Sequence, residues 1–139
     1  MNPCIFCQIA KHEAPAHIVH EDELVMAILD IDPISDGHVL IIPKKDVPDL
    51  HSLDSETGQR VMEIAKILAG AIEQEFGFDG SMIMEVNGAF QEVPHFHLHV
   101  FGRKKNNDIT FRYPKNTNSE KKHLGENADK LRAKLITLS

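Results

Sequence analysis

The segment Glu92–Arg103, "EVPHFHLHVFGR", places a histidine at every second position, namely His95, His97 and His99. The side chains of a β-strand alternate with a period of two residues, so the three imidazoles are expected on one face. The apolar residues between them are then expected on the opposite face, where a core would lie. This stretch therefore predicts a strand with one apolar face and one face that carries chemistry.

Two other interpretations of the histidine pattern are an exposed polar strand face and a mononuclear metal site. Because a strand rises ~3.3 Å per residue, the rings of His95 and His99 start ~13 Å apart. That separation is too large for both rings to share one metal through bonds of ~2 Å. The spacing favours three imidazoles that divide the labour along an extended substrate.

The length of 139 residues fits a single domain, residues 1–139, with a hydrophobic core of its own. The net charge of −6 argues against non-specific nucleic-acid binding, which needs a basic face, but not against binding of a nucleotide. The first residues do not resemble a signal peptide, and no segment approaches the ~20 apolar residues of a membrane span. Cys4 and Cys7 are the only cysteines, so we expect a reduced, cytoplasmic protein without membrane partners.

Local patterns predict an α+β domain with a mostly antiparallel five-stranded sheet. A short helix is expected in "CIFCQIAKHE", ended by Pro15, and a polar C-terminal helix in "ENADKLRAKLI". One long helix is predicted between Asp54 as N-cap and Gly77 as C-cap. Its apolar positions follow the 3.6-residue period: Val61, Ile64, Ala65, Leu68, Ala71, Ile72 and Phe76. The predicted strands are "HIVHED" (17–22), "LVMAILDI" (24–31), "HVLIIP" (38–43), "SMIMEVN" (81–87) and "HFHLHVF" (95–101).

The segment "HFHLHVF" is similar to the His-x-His-x-His-apolar-apolar signature of the histidine triad (HIT) family. The segments "CIFCQIAKHEAPAHIVHEDE", "AILDIDPISDGHVLIIPKK" and "VNGAFQEVPHFHLHVFGR" also stand in the order and spacing of that family. The resemblance covers roughly residues 3–103 and leaves out the tail, residues 104–139. It implies a five-stranded antiparallel sheet that pairs into a ten-stranded sheet in a homodimer. It also implies purine-nucleotide binding, with hydrolysis or transfer at the α-phosphate.

By this resemblance the nucleophile is His97. A neutral imidazole attacks phosphorus well near pH 7 and is also a good leaving group, so a covalent nucleotidyl-histidine can form and be hydrolysed. His99 would bind the phosphate or help the leaving group depart, and His38 matches a fourth family histidine that faces the triad. His95 is expected to be structural or a metal ligand.

The resemblance also implies a nucleotide site. Asp30 matches the acid that holds the ribose hydroxyls, which suits a carboxylate with two acceptor oxygens. Phe90 stands where the family commonly has glycine, and a carboxylate at position 92, where serine or threonine is frequent, is unfavourable near a phosphate unless it points away. The apolar slot for the purine matches Ile5, Phe6, Ile9 and Ile31. The phosphate loop matches Asn87 and Gln91, with backbone N–H groups of Glu92 and Val93 completing an anion cradle.

The pair Cys4-x-x-Cys7 could be a redox pair, part of a zinc site, or two inert thiols. A thioredoxin-like motif would need a βαβ context, which is absent. One branch of the HIT family binds a structural zinc through such a pair, the first triad histidine and a histidine after the third strand. Here those positions are Cys4, Cys7, His95 and Asp46. Aspartate can ligate zinc, or water could take its place.

The resulting functional hypothesis is an enzyme, a nucleotide phosphoramidate or nucleotidyl hydrolase that works through His97. The alternatives are a dinucleoside polyphosphate hydrolase and a non-catalytic module, either a nucleotide-binding regulator or a zinc-stabilised interaction dimer. The presence of His38, His97 and His99 together favours an enzyme, because binding alone needs no nucleophile.

Overall fold

Five strands form one sheet: β1 (Ile18–Glu21), β2 (Val25–Leu29), β3 (Val39–Pro43), β4 (Gly80–Met84) and β5 (Leu98–Arg103). Their order across the sheet is β1-β2-β3-β5-β4, and every neighbouring pair is antiparallel. The predicted five-stranded antiparallel sheet is thus confirmed. The third and fifth strands are neighbours, which brings His38, just before β3, beside His99 on β5.

The computed structural model describes residues 4–106, 109–112 and 123–138. It has three α-helices, α1 (Ile5–Ala10), α2 (Ser55–Phe76) and α3 (Leu124–Leu138), and two 3-10 helices within the described residues. Contacts divide the chain into two compact units, residues 1–109 and 110–139. The second contains α3, which has no buried residue. None of the described helices is long and apolar enough to cross a membrane.

Helix α2 begins and ends where the sequence predicts. The Asp54 side chain accepts a hydrogen bond from the backbone N–H of Thr57, and Gly77 caps the other end in a left-handed conformation with φ 67°. Of the predicted apolar positions, Ala71 and Phe76 are exposed. The Phe76 ring lies against Gly37, where an added Cβ would be 2.4 Å from the ring, so that close approach requires glycine.

The sheet buries both of its faces. One face packs against α2 in a cluster of Val25, Ala27, Val39, Ile41, Val61, Ile64, Ala65, Leu68, Ile72, Phe96, Leu98 and Val100. The other face packs against α1 in a cluster of Phe6, Ile9, Met26, Ile28, Leu40 and Ile42. Alternate residues of β2 and β3 therefore point to opposite cores. Because Phe96, Leu98 and Val100 face α2, the histidines between them face the other side.

Strand β5 begins later than predicted, at Leu98 instead of His95. Leu98 pairs with Ile41, so continued pairing would place His97 opposite Ile42 and then Phe96 opposite Pro43. Proline has no N–H to donate, and the ladder stops there. The Phe96 N–H instead donates to the Val47 carbonyl at 2.7 Å.

Other element ends also differ from prediction: β4, predicted over 81–87, spans Gly80–Met84, and β1 and β3 are each shorter by one or two residues. Helix α1 ends at Ala10, before Pro15, with Lys11 as C-cap and His12 at φ 60°. Strand β2 ends at Leu29 because Asp30 starts a turn, in which its carboxylate accepts from the Asp32 N–H at 2.9 Å.

Candidate active site

The three histidines of the motif serve two different sites. The rings of His97 and His99 are neighbours, with centroids 5.1 Å apart. The His95 ring turns away from them, and its Nδ1 lies 3.4 Å from the Cys4 sulfur and 3.3 Å from the Cys7 sulfur. Phe6 of α1 packs edge-on against both His95 and His97, with centroid distances of 5.9 and 5.1 Å.

His97 is buried, and its Nδ1 lies 2.8 Å from the backbone carbonyl of His95. A carbonyl oxygen can only accept a hydrogen bond, so in the neutral ring Nδ1 carries the proton. The lone pair then resides on Nε2. The local fold thus fixes both the orientation of the His97 ring and the nitrogen that is free to react.

His38 and His99 form a relay of hydrogen bonds. The backbone N–H of Ile34 donates to His38 Nδ1 at 3.0 Å, which makes His38 Nε2 the protonated nitrogen. That Nε2 lies 2.9 Å from His99 Nδ1 and donates to it. The remaining ring nitrogen of His99, Nε2, is therefore a donor. Asp30 lies beside both rings, with its Oδ2 3.5 Å from His38 Nε2 and 3.9 Å from His99 Nδ1.

Both rings of the relay favour the neutral form. Burial, together with the neighbouring imidazoles of His97 and His38, lowers the pKa of His99 to about 4, and the Asp30 carboxylate opposes this only in part. Burial also lowers the pKa of His38, and the nearby Asp30 carboxylate again opposes this effect. At neutral pH the relay is an uncharged chain of donors and acceptors.

A cleft of about 270 Å³ opens over these rings. Among the described residues, the cleft is lined by Asp30, Asp32, Ile34, His38, Met84, Val86, Phe90, Glu92, His97 and His99. The chain brings these residues together from the loop after β2, the end of β4, the loop before the histidine motif, and β5. Such a concave site with a few convergent polar groups is typical of a small-molecule pocket.

The predicted catalytic residues His38, His97 and His99 all lie at this cleft, as do Asp30 and Glu92. Asn87 and Gln91 do not line it. The Asn87 side-chain oxygen accepts from the Leu50 N–H at 2.9 Å, and Gln91 Nε2 donates to the Pro48 carbonyl at 2.7 Å. Both amides therefore fix the loop before the motif to the segment before α2.

The residues predicted for the purine slot are divided between surface and core. Ile5 is 44% exposed and Ile31 is 96% exposed. Phe6 and Ile9 are buried in the core cluster under α1, with Val93 packed against it. None of the four predicted purine-slot residues lines the cleft described above, and neither does Val93, which was predicted for the phosphate loop.

Four residues that line the cleft were not predicted as site residues from the sequence. Ile34, Met84 and Val86 are apolar residues from distant segments, and Asp32 sits in a turn. The even-numbered positions of β4 and its extension share one strand face, so the sequence could have placed Met84 and Val86 on the same face. The position of that face relative to His97 depends on the tertiary fold.

Beside the cleft, four side chains could hold a metal ion. Ligand atoms of Cys4, Cys7, Asp46 and His95 all lie within 4.8 Å of one another. His95 Nε2 is 2.9 Å from the Pro43 carbonyl and donates to it, which leaves a lone pair on Nδ1, facing the sulfurs.

The donor set fits a tetrahedral cation. Zinc bonds of ~2.3 Å to sulfur and ~2.0 Å to nitrogen place neighbouring ligand atoms ~3.3–3.8 Å apart. The distances from His95 Nδ1 to the two sulfurs, 3.4 and 3.3 Å, and to Asp46 Oδ1, 3.7 Å, agree with this. Burial, then the nearby Cys4 and Asp46, raise the pKa of the Cys7 thiol to about 12, so a bound cation would have to replace that proton. The Asp46 side chain is 72% exposed, which leaves this corner of the cluster open to water.

The chain resembles known proteins over most of its length. Residues 11–106 match the family model described as HIT domain. The adenosine 5'-monophosphoramidase HNT1 of Saccharomyces cerevisiae is 40% identical over 103 residues, which are 73% of this chain and 63% of that protein. A crystal structure of a HIT family protein from Bacillus anthracis superposes with a TM-score of 0.82 at 33% identity and covers 96% of each chain. A Zn-bound histidine triad family protein from Mycobacterium smegmatis has a TM-score of 0.73 at 33% identity, over 98% of this chain and 97% of that one.

Proposed function

The chain belongs to the HIT domain family, and on this basis we propose that it hydrolyses purine nucleotide conjugates at the α-phosphate. The substrates are of the adenosine phosphoramidate type, in which an amine is bonded to phosphorus. The name of the yeast relative, an adenosine 5'-monophosphoramidase, supports this substrate class. The proposed intermediate is a covalent nucleotidyl-histidine on His97.

The observation that carries this proposal is the 2.8 Å contact between His97 Nδ1 and the His95 carbonyl. It leaves the Nε2 lone pair available in a ring that cannot rotate freely. A residue that only bound phosphate would need an N–H donor at this point instead of a lone pair.

Two displacements complete the reaction. In the first, the Nε2 lone pair of His97 forms a bond to the α-phosphorus, and the bond from phosphorus to the leaving nitrogen breaks. The leaving nitrogen takes up one proton from solvent and departs as the free amine. In the second, water attacks the phosphorus, the bond to Nε2 breaks, and the water proton returns to solvent. The nucleoside monophosphate and the original His97 ring remain.

His99 supports both displacements in this proposal. Its Nε2–H, fixed by the relay from His38, donates a hydrogen bond to the phosphate or to the leaving nitrogen. Because preorganised donors cost no rearrangement during the reaction, such a contact contributes where charge develops. Asp30 holds the ribose hydroxyls, while Asn87 and Gln91 shape the loop whose backbone N–H groups at Glu92 and Val93 cradle the phosphate.

The experiment for this function is a panel of adenosine and guanosine phosphoramidates and dinucleoside polyphosphates, assayed for monophosphate release. We expect rapid release from the phosphoramidates and a loss of about 10³-fold or more in His97→Asn. That variant should still bind the monophosphate, because Asp30 and the apolar residues that line the cleft, Ile34, Met84 and Val86, remain. If the wild type releases monophosphate from no member of the panel, the protein is a binding module instead of an enzyme.

We further propose that Cys4, Cys7, His95 and Asp46 hold a structural zinc ion. Zinc would link α1 to the start of the histidine motif and to the loop after β3. Protein purified without chelator should contain about one zinc per chain, and Cys4→Ser combined with Cys7→Ser should remove it and lower the melting temperature. Asp46→Ala should weaken binding less, because water can take the open corner. Metal analysis that finds no zinc in freshly purified wild type would refute this assignment.

A further inference from the structure

Two carboxylates at the cleft, those of Asp32 and Glu92, have no charged partner among the described residues. Asp32 and Glu92 both line it and both are exposed. Among the residues that the structure describes, neither carboxylate forms an ion pair or accepts a hydrogen bond. Asp22 offers a contrast, because its carboxylate accepts hydrogen bonds from Arg60 and from two backbone N–H groups.

The backbone on both sides of Glu92 is fixed. Gln91 is bonded to the Pro48 carbonyl, and Val93 packs against the core cluster under α1. The backbone of Glu92 is therefore held at the cleft wall, and its side chain lines the cleft.

The wall of the cleft is negative. With Asp30, three carboxylates line it, and no lysine or arginine does so within residues 4–106, 109–112 and 123–138. The imidazoles of His38 and His99 contribute no positive charge near neutral pH, because burial lowers the pKa of each. Each further negative charge on a substrate is thus repelled, and a positive charge is attracted.

We propose that Glu92 and Asp32 select nucleotide conjugates whose leaving group is an amine with a second, positively charged group. This inference rests on the proposed function and narrows it to one substrate class. The same charges disfavour the polyphosphate leaving group of a dinucleoside polyphosphate, which carries several negative charges. Glu92 is then a specificity residue instead of an obstacle to phosphate binding.

The expected effect is moderate because the cleft is open to water. One carboxylate about 7 Å from an ammonium group, at an effective dielectric constant of about 40–80, favours it roughly three- to tenfold. The preference should shrink as salt is raised from about 0.01 M to 1 M, since the Debye length falls from about 30 Å to about 3 Å.

The test compares two adenosine 5'-phosphoramidates of equal chain length. One carries n-pentylamine, which ends in a methyl group, and the other carries 1,4-diaminobutane, which ends in an ammonium group at the same position. Wild type should favour the ammonium conjugate by three- to tenfold in kcat/KM at low salt, and Glu92→Gln should lose much of that preference. The matched control is Glu23→Gln, which makes the same charge change in the turn at the far end of β2 from Asp30 and should keep the full preference.

The outcomes separate this inference from the proposed function. If both conjugates are hydrolysed with equal kcat/KM, or if Glu92→Gln keeps the wild-type ratio, the charge selection is wrong although the hydrolase proposal stands. If neither conjugate is hydrolysed, the proposed function fails. The selection is then decided by the dissociation constants of the two conjugates for His97→Asn and for its combination with Glu92→Gln. Equal dissociation constants for both conjugates with His97→Asn would overturn the charge selection. Tighter binding of the ammonium conjugate to His97→Asn, lost when Glu92→Gln is added, would support it.

Discussion

At the scale of single residues, His95 connects two sites. Its ring nitrogen Nδ1 faces the two cysteine sulfurs, its Nε2–H is tied to the Pro43 carbonyl, and its own carbonyl orients His97. The same residue therefore belongs to the candidate metal site and sets the tautomer of the candidate nucleophile. Because hydrogen bonds to buried groups are costly to leave unmade, these contacts constrain one another.

His99 makes the stability of the fold depend on pH. Its folded pKa of about 4 lies below the ordinary value of 6.5, so the unfolded chain binds more protons between those values. Stability contributed by neutral His99 is complete above about pH 6.5 and is lost as pH falls through about 4. We expect the urea midpoint of His99→Asn to fall less between pH 7 and pH 4.5 than that of wild type.

Other groups face His99 and share in this behaviour. His97 and His38 disfavour its protonation, and Asp30 favours it. The comparison therefore uses Asp30→Asn as a second variant, in which the loss of stability on acidification should be steeper than in wild type. Equal pH dependence in wild type and His99→Asn would contradict the assignment of a neutral, buried His99.

At the scale of elements, the turn between β1 and β2 is tied to α2 through Asp22. Its Oδ1 accepts from the Leu24 and Val25 N–H groups at 2.8 and 3.0 Å, and its Oδ2 accepts from Arg60 Nε at 2.8 Å. Burial alone would raise the pKa of Asp22, but these bonds and one from His20 hold it well below its usual range. The Asp22 carboxylate thus links the β1–β2 hairpin to helix α2 through hydrogen bonds.

Replacement of that carboxylate should destabilise the domain. Asp22→Ala leaves two backbone N–H groups and a guanidinium without their acceptor, at a cost of about 1–3 kcal/mol in the free energy of unfolding. The neighbouring Glu23 is exposed, and Glu23→Ala should stay within about 0.5 kcal/mol of wild type. Urea denaturation that gives equal stabilities for the two variants would show that Asp22 does not join the elements.

The sequence predicts the helices and strands better than it predicts which histidine belongs to the cysteine cluster and which to the cleft. Alternation and capping residues locate the strands and α2, because those signals are local. The late start of β5 needs the register between Leu98 and Ile41, which places Pro43 opposite Phe96. The assignment of His95 to the cysteines and of His97 to the cleft depends on that same register, so spacing alone could not decide it.

The cleft wall illustrates the same limit. Met84 and Val86 come from the end of β4, and Ile34 from the loop after β2. Apolar residues of these types are usually core, so their residue identity carries no signal for a site. Family resemblance supplied the histidines and Asp30. Only the three-dimensional structure shows that Asp32 and Glu92 have no charged partner among the described residues.

At the scale of the whole molecule, the sheet has two edges, β1 and β4. Strand β1 has a register shift between Ile18 and His20, which disturbs pairing with a further strand. Strand β4 is regular over Gly80–Met84, and Ile83 on it is 46% exposed. We propose that two copies pair through β4 about a two-fold axis, which would give a ten-stranded sheet.

The dimer prediction is tested by sedimentation at micromolar concentration. Wild type should sediment at about twice the 15.6 kDa chain mass. Ile83→Lys should shift it toward monomer, since charge on an edge strand opposes pairing, while Val19→Lys on β1 should not. A wild type that sediments only as a 15.6 kDa species would refute the dimer.

The most direct measurement of the covalent mechanism is the capture of the intermediate on His97. A slowly hydrolysed adenosine phosphoramidate is mixed with wild type and quenched in alkali, because bonds between histidine nitrogen and phosphorus are lost in acid. Peptide mass spectrometry with fragmentation should place an adenosine monophosphate adduct on His97, and not on His95 or His99 of the same peptide. His97→Asn should give no adduct and almost no turnover. Hydrolysis by His97→Asn near the wild-type rate, or an adduct on another residue, would contradict His97 as the nucleophile.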